Sequence, residues 1–329
     1  MYPRKTVFSS GFCYFFIDNG EKMHPIAFHI GSFDVHWYGV FIGIGFLASF
    51  GLLMKIRKYA SLTVDQVYNI SMIALFAGVV GARLFYVIQF WNDHFAGKGI
   101  LNMLNVHNGG LVFYGGFILA FTAECVYAKW PAIRLRLGME EKVSAAAEPL
   151  KGKESADNAE PRKNISLLAL LDILGPAMAL AHAFGRISCF MEGCCYGKPA
   201  PDWFPLAVRF PDKAQASKAF YSTISDGPMP VYPVQLFESA GNLLMCGILL
   251  LLLRKRKYAG TVGAVYLVLY GVMRFLLEFM RGDHDPNDFI LGLTPSQFIA
   301  VALAIPGGVI LYRIALKRGQ EKNKEAADA

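Results

Sequence analysis

Several stretches of about 20 residues with almost no charge constrain this chain more than any other feature. Each is long enough to cross a bilayer core of about 30 Å as an α-helix. Hydrophobic residues make up 54% of the chain and are bunched into these stretches. We therefore predict an all-α polytopic membrane protein rather than the two soluble domains that 329 residues alone would suggest. The seven predicted transmembrane helices occupy residues 36–54, 67–91, 110–130, 165–184, 233–253, 260–280 and 295–316.

The connections between these helices differ in positive charge. The first, third and fifth connections and the C-terminal tail are rich in Lys and Arg, whereas residues 92–109 contain only Lys98 and residues 281–294 only Arg281. Because basic connections stay in the cytoplasm, this pattern predicts an external N-terminus and a cytoplasmic C-terminus. The net charge of +7 then follows from topology and does not indicate a nucleic-acid partner.

Composition also divides the chain along its length. Met23-His24-Pro25 resembles a natural start, so residues 1–22 are either a non-native N-terminal extension or an amphipathic leader on the membrane surface. Residues 137–164 are rich in Ala, Glu, Lys and Asp and predict a disordered cytoplasmic loop. The segment between the fourth and fifth helices holds enough aromatic residues for a small external subdomain. The predicted divisions are 1–22, a single transmembrane domain 23–318, the loop 137–164, the external subdomain 187–232 and the cytoplasmic tail 319–329.

Polar residues inside the predicted helices fall mostly in the outer half of the membrane. Charged side chains there are costly and usually functional. Asp172, midway along the fourth helix, is the exception. A purely structural arrangement gives no reason for such one-sidedness, which therefore indicates a site near the outer surface. Its members are Tyr38, Arg83, Tyr114, Arg186, Gln235, Glu238, Arg274, Glu278 and Arg281.

The sixth predicted helix has the clearest pattern. Tyr270, Arg274, Glu278 and Arg281 are spaced by 4, 4 and 3 residues and so share one helix face. Guanidinium groups bind phosphate oxygens in pairs of hydrogen bonds, and phospholipid headgroups are the natural anions at this depth. The alternative is an Arg–Glu pair that only links helices, although burying such a pair rarely gains stability.

Six motifs, in order, resemble the prolipoprotein diacylglyceryl transferases. The longest are Gly185–Gly197 (GRISCFMEGCCYG) and Tyr270–Arg281 (YGVMRFLLEFMR). The resemblance extends over about residues 24–316 without the long third connection. The shorter motifs are HWYG at 36–39, GARL at 81–84, GGL at 109–111 with YGG at 114–116, and YPVQLFE at 232–238.

The resemblance implies a transferase that moves the diacylglyceryl group of phosphatidylglycerol to the lipobox cysteine of a prolipoprotein signal peptide, with release of glycerol 1-phosphate. It implies a multi-pass protein of the bacterial inner membrane, with its active site toward the outer leaflet and with no metal or organic cofactor. The expected catalytic residues are Tyr38, Tyr114, Arg186, Tyr270, Arg274 and Glu278. The expected phosphatidylglycerol-binding residues are Arg83, Gly115, Gly116, Arg186, Gly197, Gln235 and Arg274.

The chain departs from the family pattern at two positions. Tyr114 stands where the family often has a His, which has been proposed as the base for the thiol, and Cys189 stands where it often has Asn. A free tyrosine titrates near 10 and a free thiol near 8.5, so a base at Tyr114 is not expected to act near neutral pH. The mechanism then depends on electrostatic stabilisation, or on Glu278 as an alternative base.

Cys189, Cys194 and Cys195 form a cluster with three interpretations. Adjacent Cys194 and Cys195 match zinc-ligand spacing poorly, although His182 and Glu192 are near. An oxidising external compartment favours a disulfide from Cys189 to Cys194 or Cys195. The alternative functions are a membrane thiol oxidoreductase that uses these cysteines, an anionic-lipid transporter, and a family member that has lost activity or uses another acceptor because of Tyr114.

Overall fold

The fold is a β-hairpin followed by long helices. A computed structural model describes residues 26–31, 33–96, 99, 103, 112–136, 165–201, 203–210, 214, 216, 229–284 and 289–328. The predicted N-terminal extension 1–22 and the predicted loop 137–164 lie outside the described residues. The described elements are β1 (Ile26–Ile30), β2 (Phe33–His36), α1 (Trp37–Ile56), α2 (Val64–Gln89), α3 (Phe113–Arg136), α4 (Leu167–Glu192), α5 (Val234–Lys255), α6 (Thr261–Glu278) and α7 (Pro295–Asp328).

Six of the described helices, α1, α2 and α4 to α7, are long and apolar enough to cross a membrane. This finding confirms a helical polytopic membrane protein. The remaining helix, α3, has 24 residues but carries Glu124 and Lys129, whose charges lower its mean hydropathy. A helix is therefore present at Phe113–Arg136, where residues 110–130 were predicted, but it is less apolar than the other six.

Helices α4 and α7 extend furthest beyond their predicted ends. Helix α4 reaches Glu192 instead of residue 184, so residues 187–192 of the predicted external subdomain are helical. It ends where Gly193 adopts a left-handed φ of 70°, a frequent helix stop. Helix α7 continues to Asp328, so the predicted tail 319–329 is helical through residue 328. Its charged residues are strong helix formers, which a prediction based on apolar runs leaves out.

The chain divides into two compact units. One contains the hairpin and most of α1 together with α4 to α7 (1–52 and 171–329), and the other contains α2 and α3 (53–170). In the second unit glycines bring α2 and α3 together. A Cβ at Gly115 would lie 2.4 Å from Phe85 Cβ, and one at Gly116 would lie 2.6 Å from the Gly78 carbonyl oxygen. These distances require glycine for the helices to approach so closely.

In the first unit, fully buried Asp172 holds the beginning of α6. Its carboxylate accepts hydrogen bonds from the backbone N–H groups of Gly260 (2.7 Å) and Gly263 (2.8 Å), and it pairs with Arg256. The first N–H groups of a helix lack partners within the helix. Gly260 precedes α6 and has no side chain to cap it, so Asp172 of α4 supplies the acceptor.

The segment after α4 folds around a small apolar core and attaches to the end of α6. The Lys198 N–H donates to the Met280 carbonyl (2.8 Å), and the Gly282 N–H donates to the Tyr196 carbonyl (3.0 Å). A Cβ at Gly197 would lie 2.4 Å from the Tyr232 carbonyl oxygen, so only glycine fits there. This pairing fixes two of the motif segments side by side. The core residues are Phe190, Met191, Val208, Phe210, Ala216 and Val231.

Candidate active site

Glu278 is the centre of a buried ion-pair cluster at the end of α6. Its carboxylate lies 2.6 Å from Arg274 Nη1, 3.8 Å from Arg281 Nε and 3.0 Å from His284 Nε2. Thr294 Oγ1 donates a hydrogen bond to it at 2.6 Å. Arg274 and Glu278 therefore share the predicted helix face, and Arg281, just beyond the end of α6, reaches the same carboxylate; all three residues are buried.

A second carboxylate, Glu238 of α5, pairs with α4, the helix that contains the first part of the Gly185–Gly197 motif. Arg186 Nη2 lies 3.0 Å and His182 Nε2 lies 3.3 Å from Glu238 Oε1, and Glu238 is 1% exposed. Arg186 Nε donates to His182 Nε2 at 3.2 Å. The His182 ring lies 5.3 Å from the ring of Tyr270, which brings the predicted residue Tyr270 next to Arg186.

The two carboxylates belong to one site. The charge of Arg274 acts on both His182 and Glu238, so the pairs on α4, α5 and α6 lie within electrostatic range of one another. A guanidinium has five N–H donors. The contacts described above engage two nitrogens of Arg186, and those of Arg274 with Glu278 and Ser296 also engage two. Within the part of the chain that the structure describes, both groups therefore retain N–H donors for the oxygens of an anion.

Arg281 lies just after α6 and forms an ion pair with Asp283. Its Nε and Nη2 donate to the two carboxylate oxygens of Asp283 at 2.9 and 2.5 Å. Burial by itself lowers the pKa of Arg281, but the hydrogen bonds and charge of Asp283 outweigh burial and raise it above its ordinary value. Arg281 is thus a fixed positive charge beside the backbone of Gly197, with which it forms an antiparallel bridge.

Gln235 connects α5 to the cysteine cluster. It is 1% exposed, and its Nε2 donates to the Cys194 carbonyl at 2.7 Å. The three cysteine sulfur atoms lie within 4.8 Å of one another, and no disulfide joins them. The pKa of Cys195 is lowered, chiefly because Cys189 and Cys194 hydrogen-bond to its sulfur and additionally because of the charges of Arg281 and Arg186. The pKa of Cys194 is raised by its hydrogen bonds to Cys189 and Cys195.

The first unit thus contains most of the predicted site. It brings together Arg186, Tyr270, Arg274 and Glu278, and it places Gly197 against the bridge to Arg281. Tyr38 at the start of α1 is within electrostatic range of all three clustered cysteines. The predicted residues of this unit are Tyr38, Arg186, Cys189, Cys194, Cys195, Gly197, Gln235, Tyr270, Arg274 and Glu278.

The remaining predicted residues lie in the second unit: Arg83, Tyr114, Gly115 and Gly116. Arg83 Nε donates to the Met103 carbonyl at 2.7 Å, and its guanidinium lies over the rings of Tyr86 (5.3 Å) and Phe95 (5.5 Å). Gly115 and Gly116 make the close α2–α3 contact. The predicted convergence of Arg83 and Tyr114 with Arg186 and Arg274 stays a prediction.

Four partners in this site were not predicted from the sequence, and a fifth, His182, was predicted only as a possible metal ligand. His182 lies one helical turn before Arg186, so helical spacing could have linked the two residues. Asp283 is two residues from Arg281 and could have been noticed for that reason. No sequence signal connects Thr294 and Ser296 to Glu278 and Arg274, because they lie 16 and 22 residues further on and meet them through folding. The missed residues are Asp283, His284, Thr294 and Ser296.

Six helices that are long and apolar enough to cross a membrane, with arginine–carboxylate pairs buried between α4 and α5 and within α6, define a polytopic membrane protein. Its motif segments and their order then specify the family. The chain belongs to the prolipoprotein diacylglyceryl transferase family, whose sequence profile matches residues 25–140 and 158–313. The predicted family, and the predicted extent of about 24–316 without the third connection, are confirmed.

Individual relatives match this chain over nearly their full length. A phosphatidylglycerol–prolipoprotein diacylglyceryl transferase of Clostridium tetani is 30% identical over 91% of this chain and 100% of its own. The protein of the same name from Finegoldia magna is 29% identical over 91% of this chain and 100% of its own. One from Clostridium botulinum is 29% identical over 90% of this chain and 98% of its own.

Proposed function

We propose that this protein transfers the diacylglyceryl group of phosphatidylglycerol to the lipobox cysteine of prolipoproteins. Its relatives are named phosphatidylglycerol–prolipoprotein diacylglyceryl transferases, which supports the transfer. One observation carries the proposal beyond family membership. Glu238 lies within electrostatic range of both Arg186 and Arg274, the arginines of the two longest motif segments, and each arginine pairs with a buried carboxylate. Such preorganised cations stabilise charge that develops on a departing phosphate.

Arg186 and Arg274 hold the phosphate of the lipid. Their carboxylate partners fix the planes of the two guanidinium groups, so that the remaining N–H donors point in set directions before the substrate arrives. Arg281, paired with Asp283, adds positive charge beside them. Lys would not replace these residues, because it lacks the planar set of donors that binds phosphate oxygens in pairs.

The chemical step is a displacement at carbon. The substrate thiolate attacks the glyceryl carbon that carries the phosphate ester, so the S–C bond forms as the C–O bond breaks. The electron pair leaves with the oxygen of glycerol 1-phosphate, where the arginines stabilise it. The thiol proton passes to water or to the departing phosphate. A few per cent of a free thiol is already ionised near pH 7, and nearby arginines increase that share.

Glu278 does not serve as the base in this scheme. Its carboxylate already contacts Arg274, His284 and Thr294, and its role is to orient Arg274. Tyr38 and Tyr270 line the site beside the cysteine cluster and His182, where their hydroxyl groups position the lipid headgroup. For the second unit, the catalytic role of Tyr114 and the binding of phosphatidylglycerol by Arg83, Gly115 and Gly116 stay predictions from the resemblance; close packing of α2 against α3 is the alternative role of the two glycines.

The protein sits in the bacterial inner membrane as seven spans, with α3 as the third. The distribution of Lys and Arg places the N-terminus outside, the C-terminus in the cytoplasm and the site in the outer leaflet. Glu124 and Lys129 then lie in the inner half of α3. The apolar core around Phe210 forms the external subdomain, and the signal peptide of the substrate enters beside it from the bilayer.

The test uses full-length protein in liposomes that contain phosphatidylglycerol and a lipobox peptide. Release of glycerol 1-phosphate must match the gain of one diacylglyceryl group in the peptide mass. Arg274→Ala should abolish both, whereas Arg254→Ala, an exposed arginine at the far end of α5, should leave both unchanged. Loss of function in Cys194→Ser and Cys195→Ser with full activity in Arg274→Ala would instead support the thiol oxidoreductase.

A further inference from the structure

The three clustered thiols are brought together by a left-handed turn after α4. Gly193 and Cys195 have φ angles of 70° and 56°, and the Cys194 N–H donates to the Cys189 carbonyl at 3.2 Å. A left-handed conformation is unusual for a residue other than glycine and is retained where surrounding structure requires it. The turn reverses the chain, so that Cys194 and Cys195 face the last helical turn, which carries Cys189.

We propose that Cys189, Cys194 and Cys195 bind one thiophilic d¹⁰ cation, Cu⁺ or Zn²⁺, through three thiolates. Their sulfur atoms lie within 4.8 Å of one another, and all three residues are half-buried. A metal–sulfur bond of about 2.3 Å places the three sulfurs of a trigonal site about 4 Å apart. The cluster therefore reaches this geometry through side-chain movements of less than about 1 Å, with no change of the backbone. Soft thiolate ligands select these two ions over harder divalent cations.

The charges around the cluster suit such an ion. Three thiolates around Cu⁺ carry two negative charges, and around Zn²⁺ they carry one. Arg186 and Arg281 both interact electrostatically with Cys195, so two fixed positive charges are available next to the ligands. Each guanidinium is held in place by an acid, Glu238 or Asp283, and neither belongs to the ligand set.

Ion binding would join the end of α4 to the turn that leads to Gly197. That segment carries the hydrogen bonds to Met280 and from Gly282, so the ion would stabilise the contact between the two motif segments. The predicted disulfide competes with this site. Its formation removes two electrons and two protons from two of the thiols, and it leaves a single sulfur ligand, which is too few to hold the ion.

The experiment titrates full-length, reduced protein anaerobically with Cu⁺ or with Zn²⁺ in the presence of a chromophoric competitor. The expected result is that one of the two cations binds with a stoichiometry of one ion per chain. Its affinity should fall on the order of 100-fold in Cys189→Ser and in Cys195→Ser. Cys125→Ser and Cys246→Ser, which change cysteines in apolar helices outside the cluster, should bind as the unchanged protein does. X-ray absorption should show three sulfur neighbours at about 2.3 Å, with one added oxygen or nitrogen neighbour if the ion is Zn²⁺.

A second measurement uses the unchanged protein, so it does not depend on whether a variant folds. The bound ion should protect Cys189, Cys194 and Cys195 from alkylation, as read by peptide mass, and a chelator should remove the protection. The proposal would be overturned if reduced protein with transferase activity bound Cu⁺ and Zn²⁺ no more tightly than the Cys189→Ser variant binds them. So would an isolated protein with a disulfide in the cluster that, once reduced, gains no ion.

Discussion

The carboxylate of Glu278 lies 2.6 Å from Nη1 of Arg274, one helical turn earlier, and both side chains are buried. Because the desolvation of two charges offsets much of their attraction, this pair gives little net stability. Its value lies in orientation, since the same carboxylate also contacts His284 and accepts a hydrogen bond from Thr294. The pair therefore holds the guanidinium in one position for an anion.

Removing Arg274 should cost both stability and activity, for separable reasons. Arg274→Ala leaves Glu278 buried with fewer partners, and we expect a loss of about 3–5 kcal/mol in the free energy of unfolding. The double variant Arg274→Ala/Glu278→Gln removes the unpaired charge and should recover most of that stability, but no activity. Thermal denaturation and the diacylglyceryl transfer assay measure the two effects. Recovery of activity in the double variant would contradict a role for Arg274 in holding the phosphate.

The part of this cluster that lies on α6 could be predicted from the sequence because its residues are local. The spacing of Tyr270, Arg274, Glu278 and Arg281 on one helix predicts their shared face, and apolar runs predict the helices that carry them. Partners from other elements, such as Glu238 for Arg186, depend on how helices pack, and a single sequence carries no signal for that pairing. Helix ends were missed for a different reason, because apolar length marks membrane thickness and not the helical stop at Gly193.

Asp172 should matter for stability and not for substrate binding. It lies 14 positions before Arg186, which is about 21 Å along α4 at 1.5 Å per residue. Asp172→Ala removes the acceptor for Gly260 and Gly263 and leaves Arg256 without its buried acid, so we expect a loss of about 3 kcal/mol or more. Asp172→Asn keeps one carbonyl acceptor and should lose less. The KM for phosphatidylglycerol, measured well below the melting temperature, should stay unchanged in both variants, and a raised KM would show that this end of α4 affects the site.

Gly115 and Gly116 should prove to be packing residues of the second unit. A Cβ at Gly115 would meet Phe85 at 2.4 Å, whereas a Cβ at Gly78 on the facing helix would meet nothing within 4 Å. Gly115→Ala should therefore destabilise the protein by about 1–3 kcal/mol, and Gly78→Ala should be neutral or slightly stabilising. Melting temperatures of the two variants test this difference. An inactive Gly115→Ala protein with an unchanged melting temperature would favour direct lipid binding instead.

Cys195 should react with alkylating agents at lower pH than Cys194. Only the thiolate is nucleophilic, and the pKa of Cys195 is lowered by hydrogen bonds from Cys189 and Cys194 and by the charges of Arg281 and Arg186. The rate of alkylation at Cys195 should thus fall less steeply as pH is lowered than the rate at Cys194, whose pKa is raised. Peptide mass analysis of reduced, chelator-treated protein after timed alkylation separates the two sites. Equal rates at pH 6 would contradict this assignment, and Cys189→Ala should narrow the difference between the two rates because it removes one hydrogen-bond donor.

Tyr114 provides the sharpest test of whether this transferase uses a dedicated base. If the reacting thiolate forms without one, transfer should increase with pH as the substrate thiol ionises, up to about 8.5. Tyr114→Phe should then keep activity within a few-fold and leave that pH profile unchanged. Tyr114→His introduces a group that accepts protons above about 6.5, so the lower limb of the profile should move toward that pH. Transfer rates of the three proteins, measured from pH 5.5 to pH 9.5 in the same liposomes, decide the question. An inactive but folded Tyr114→Phe protein would show that the tyrosine hydroxyl takes part in the reaction, and the purely electrostatic mechanism would then be wrong.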